Sequence, residues 1–130
     1  MKENPTTTIG PGESTGVTIL PSHQVLAAEL VENEVVGANA MAEVIGMLDS
    51  LRHRPGADGT VLRVGGLAGI SVMLHERHGR RTLQRILRLL MQAGMLDRRL
   101  PVDCAQPVYM LDVAALAGRL DEVTGDESVN

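Results

Sequence analysis

The chain has 130 residues, 44% hydrophobic and 22% charged, with a net charge of −4. That size and balance imply one soluble globular domain. Phe and Trp are absent and Tyr109 is the only aromatic residue, so the core must be aliphatic and the stacking platforms of single-strand readers are missing. Cys104 is the only cysteine, which excludes an intrachain disulfide. No apolar run approaches the roughly 18 residues of a membrane span, and the first 20 residues lack the apolar stretch of a signal peptide. A cytoplasmic location with no membrane contact is expected.

Residues 1–21 are rich in Thr, Gly and Pro, a composition expected of a disordered N-terminal tail. Ser22 is positioned to cap a helix in which Val25, Leu26, Leu30, Val31, Val35 and Val36 keep helical spacing. Gly37-Ala38-Asn39 interrupts it. A second helical stripe follows, Met41, Val44, Ile45, Leu48 and Leu51, closed by the turn-forming run Arg54–Gly59. Thr60–Val64 is short and alternating, as a strand is. Leu67–Glu76 has helical spacing through Leu67, Ile70 or Ser71, and Leu74, and His78-Gly79 reads as a turn.

Arg80–Ala93 is the clearest helix. Leu83, Ile86, Leu87, Leu90 and Met91 share one face, and Gly94 stands where a helix end favours a left-handed residue. Two short strands are expected, Met95–Arg99 and Val108–Leu111, joined by the loop Pro101–Pro107. Asp112 is a candidate N-cap for a last helix carrying Val113, Leu116 and Leu120. Residues 121–130 are acidic and polar and read as a second disordered tail, so the domain is expected at residues 22–120.

The charge distribution singles out one region. Glu76 to Arg99 holds seven arginines against two acids, a local charge of +5, on a chain that is −4 overall. Such a concentrated basic patch is the electrostatic footprint of a phosphate-binding surface. Arg81, Arg85, Arg88 and Gln92 follow at helical spacing as one stripe, with Gln84 beside it. Arginine bonds guanine bidentately and glutamine bonds adenine bidentately. Arg80, Arg81, Gln84 and Arg85 are the candidate base readers, and Arg77, Arg88, Arg98 and Arg99 the candidate phosphate contacts. The competing reading is a solvated helix face. The absence of lysine here, the scarcity of acids and the continuation into Arg98-Arg99 count against it.

The order helix, strand, helix, turn, helix, two strands, helix, together with TLQRILRLLMQAGMLDRR and then PVYML, resembles the winged helix-turn-helix transcriptional regulators over about Met41 to Leu120. The turn between the two central helices is longer than the three or four residues of the compact motif. The resemblance implies a mostly α fold with a small β-hairpin wing and, here, an extra N-terminal helix. It also implies sequence-specific binding of double-stranded DNA, with helix 80–93 in the major groove and the wing on the backbone. A homodimer on two half-sites is the usual arrangement. The apolar residues of Val25–Val36 either form the dimer contact or pack over their own domain. Two other functions stay open: a winged-helix adaptor whose arginines meet an acidic protein partner, and a plasmid or phage replication or partition accessory protein.

The remaining motifs are weaker. His75 and His78 with Glu76 and Cys104 fall short of a zinc set, which takes four ligands at fixed spacing. Arg52-His53-Arg54 suits a helix C-terminus, or a flanking phosphate contact. Gly65-Gly66 lacks the further glycines of a nucleotide-binding turn. Cys104 has no assignable base. No enzyme motif is present, and neither catalysis, a cofactor nor a metal is expected.

Overall fold

The computed structural model describes residues 19–32, 34, 36–54 and 61–129. Most of the expected N-terminal tail, Val35, Thr60 and all but the first residue of the Arg54–Gly59 turn lie outside these. The described residues form five helices and one small antiparallel sheet, a mixed α/β domain. In chain order they are α1 (Pro21–Leu30), α2 (Ala38–Arg52), β1 (Val61–Gly65), α3 (Leu67–Met73), α4 (Arg80–Gln92), β2 (Leu96–Arg99), β3 (Val108–Asp112) and α5 (Val113–Val129). In the sheet β3 lies between β1 and β2 and is antiparallel to both.

Helix α2 is the centre of the domain. Every residue from Met41 to Asp49 is buried, because the helix packs against α1, α4, α5 and β1. Met41, Ile45 and Leu48 join Leu26 of α1, Leu83, Ile86, Leu87 and Leu90 of α4, Leu111 of β3 and Leu116 of α5 in one aliphatic core. A fully buried Leu or Ile contributes about 1.5–3 kcal/mol relative to exposure, so this cluster holds the helices with Tyr109 as its one aromatic member.

Helix α1 starts and stops differently from the sequence expectation. Pro21 rather than Ser22 opens it, since the fixed φ of proline suits the first helical position. The Leu20 N–H donates to His23 Nδ1 at 3.0 Å and so finds a partner in place of a serine cap. The helix ends at Leu30, before Val31 and Val36. Leu26 and Ala27 are fully buried and Val36 nearly so. Of the apolar residues expected either at a dimer contact or over their own domain, these three pack inside the domain, whereas Val25 is exposed.

Helix α3 is also shorter than expected. It stops at Met73, and His75 and Glu76 both adopt positive φ, 58° and 54°. The Glu76 N–H donates to the Ser71 carbonyl at 2.8 Å and the His75 N–H to that of Val72 at 2.9 Å. This is the hydrogen-bond pattern of a left-handed helix end, here made without glycine. Helix α4 ends on the same pattern. Gly94 has φ +84°, and the Met95 and Gly94 N–H groups donate to the Leu90 and Met91 carbonyls at 3.0 Å each. Asp112 caps α5 as expected, its Oδ1 accepting from the Ala115 N–H at 3.0 Å. That helix continues to Val129 with Leu120 and Val123 buried. The tail expected from residue 121 therefore begins inside a helix.

Candidate nucleic-acid interface

The basic stripe is set by the phase of α4. Leu83, Ile86, Leu87 and Leu90 point inward and are at most 1% exposed. At 3.6 residues per turn, Arg81, Arg85, Arg88 and Gln92 fall within an arc of about 60° on the opposite side. All four are exposed, as are Gln84 and Arg80, which flank the arc on one side. Among the described residues no carboxylate forms an ion pair with Arg80, Arg81, Arg85 or Arg88. The helix also begins against its own electrostatics. Its first turn holds no acid, its N-cap Gly79 makes no side-chain bond, and two cations sit at the positive end of the helix dipole. That end favours an anion.

Arg77 stands apart from this set. Its Nη1 donates to Glu43 Oε1 at 3.0 Å, and His78 Nε2 donates to the same oxygen at 3.1 Å. The Glu43 side chain is 8% exposed. A buried carboxylate is costly unless its lone pairs are filled, so the pair on Glu43 ties the α3–α4 turn to α2. The expected phosphate contact at Arg77 is thus partly committed inside the domain, with its side chain 45% exposed. Sequence reading missed Glu43; its one signal was an acid set between the apolar positions Met41 and Val44.

The sheet separates Arg98 from Arg99, because successive strand residues point to opposite faces. Arg98 is paired with Tyr109, and Tyr109 and Leu111 belong to the core. Arg98 therefore lies on the same side of the sheet as Tyr109 and Leu111, and is itself exposed. Arg99 lies on the other side, where its Nε donates to Asp97 Oδ2 at 2.7 Å. The bond from Arg99 holds Asp97 below its ordinary carboxylate range. Arg63 of β1 approaches Asp103 at 3.8 Å and Cys104 Sγ at 3.7 Å in the loop between β2 and β3. The β2–β3 hairpin is consequently close to neutral, and Arg98 is its cation without a described partner.

A second ionic cluster joins α1 to α2. His23 is 2% exposed. Its Nδ1 accepts from Leu20, so Nε2 carries the proton and donates to Asp49 Oδ2 at 2.8 Å. Arg52 Nε donates to Asp49 Oδ1 at 2.6 Å, and His53 lies 3.5 Å from the same oxygen. Burial pushes Asp49 upward, but the hydrogen bonds from His23 and Arg52 and the Arg52 charge outweigh it and leave the carboxyl below its ordinary value. Arg52 and His53 thus serve the helix end, and Arg54 stays exposed.

Two grooves border α4. One of about 240 Å³ sets Glu34 among Arg85, Arg88, Leu89 and Gln92. The other, about 560 Å³, lies where α3, the start of α4 and the approach to β3 meet. Among the described residues no group of three His, Cys, Asp or Glu side chains is placed to hold a metal ion; His78 faces Glu43 instead. No described helix is long and apolar enough to cross a membrane. No protein family, curated protein or solved structure matched the chain when it was compared with them.

Proposed function

We propose that this chain is a winged helix-turn-helix domain that binds double-stranded DNA and regulates transcription. It acts without catalysis. Helix α4 enters the major groove, Arg80, Arg81, Gln84 and Arg85 meet base edges, and Arg88 and Arg98 meet phosphates. The observation that carries the reading is the outward face of α4, where Arg81, Arg85, Arg88 and Gln92 stand exposed opposite a buried aliphatic stripe, with exposed Arg80 and Gln84 at its edge. The topology is in keeping with it, since β3 returns from β2 to pair with β1 from earlier in the chain and β2 contacts α4. Arg77 and Arg99 take lesser parts, because each already holds a carboxylate of its own chain.

Two copies on two half-sites would raise specific affinity above that of one small module. Selection of bound sequences from a random duplex pool tests the reading. The expected result is an enriched site containing G or A at the arginine and glutamine contacts, repeated as an inverted pair. Failure to enrich any duplex, with tight capture of an acidic peptide instead, would replace it with the protein-adaptor reading.

A further inference from the structure

The larger groove is a candidate binding site distinct from the outward stripe of α4. We propose that it binds a small amphipathic anion, a carboxylate carried on a short apolar body, and that this ligand and the duplex compete for Arg80. The competition rests on the DNA-binding reading; the binding of the anion does not.

Three observations support this. The first is size. At about 560 Å³ the groove falls in the range of roughly 300–1,000 Å³ typical of small-molecule sites. The second is the lining. Leu83, 1% exposed, and Val108, 9% exposed, are its buried apolar residues, and Leu67, Ala68 and Pro107 add further apolar surface. Ser71 and Gln106 supply hydrogen-bonding groups. The third is charge. Arg80 is the only charged residue of the lining, and it has no ion-pair partner among the described residues. A guanidinium beside an apolar wall selects a planar anion with a hydrophobic body and rejects a cation of the same shape.

The location links the site to the stripe. One wall belongs to the return of the wing, Gln106 to Val108, and the other to α3 and to Arg80, the first residue of α4. The two walls come close at Gly66, where an added Cβ would stand 3.4 Å from the Pro107 carbonyl oxygen. An occupant would therefore touch the wing and the recognition helix together, and would draw Arg80 away from a base edge.

The test uses the full chain, ¹⁵N-labelled, titrated separately with octanoate, octylamine and acetate. Octanoate should shift the amides of Leu67, Ala68, Ser71, Arg80 and Gln106. It should bind about tenfold or more tightly than either control, the value of one charge-assisted hydrogen bond added to apolar contact. Arg80→Gln should remove that preference while its amide spectrum stays folded. Ala68→Trp, which fills the groove and keeps the arginine, should abolish octanoate binding as well. Shifts scattered over the surface, or equal binding of octanoate and octylamine, would overturn the proposal. A separate duplex titration reads the second half: octanoate should raise the apparent Kd for DNA. Groove binding by a protein that ignores every duplex would overturn the DNA reading and leave the anion site standing. Simultaneous binding of both would overturn the competition.

Discussion

Two buried carboxylates, Glu43 and Asp49, organise the ends of α2's neighbours. Both lie on α2, among the residues buried from Met41 to Asp49, and each is filled by cations or ring N–H groups from outside the helix or from its last turn. Neither was legible in the sequence, because an acid inside an apolar stripe looks like the start of a solvated face until a partner 26 or more residues away is seen beside it. Asp49 yields a pH prediction. Its folded pKa is depressed, so its contribution is present above its unfolded pKa of about 3.9 and is lost as pH falls through the folded value. Asp49→Asn should lower stability by about 1–3 kcal/mol at pH 7. The gap between variant and parent should narrow below about pH 4. Urea midpoints at pH 7 and pH 3 check this, and an equal gap at both would contradict it.

At the scale of elements, period and punctuation carried most of the information. Helix α4 and its end at Gly94 follow from an apolar stripe at 3.6 spacing and a glycine suited to positive φ. The start of α5 follows from Asp112. Helix α3 was overextended because its left-handed exit uses His75 and Glu76, residues that do not announce a helix end. Histidine tolerates that region better than most non-glycine residues, but a tertiary tie such as the one to Glu43 is what holds such a turn. The β2–β3 hairpin showed the opposite failing. Arg98-Arg99 reads as one patch in sequence, yet the strand period of two puts the residues on opposite faces. Arg98→Ala should weaken duplex binding and reduce the salt slope by about 0.9. Arg99→Ala should leave both nearly unchanged. Equal effects from the two would show that the hairpin does not present one face to DNA.

The whole molecule is acidic with one basic face, −4 overall against +5 from Glu76 to Arg99. On the proposed reading, that polarity would orient the domain toward a polyanion and discourage adsorption by its other surfaces. The structure refines how the charge is used. Arg77 and Arg99 neutralise the chain's own carboxylates, while Arg80, Arg81, Arg85 and Arg88 are exposed on one helix with no ion-pair partner among the described residues. The most direct test is fluorescence anisotropy of a labelled duplex titrated across salt concentrations, with the parent chain and with Arg81, Arg85 and Arg88 all changed to alanine. The parent should bind with a log K against log salt slope near −0.9 for each phosphate neutralised. The triple variant should lose about 1–3 kcal/mol for each arginine that reads a base, with an unchanged helical signal by circular dichroism. Undiminished duplex affinity in a folded triple variant would contradict the assignment of α4 as the recognition helix.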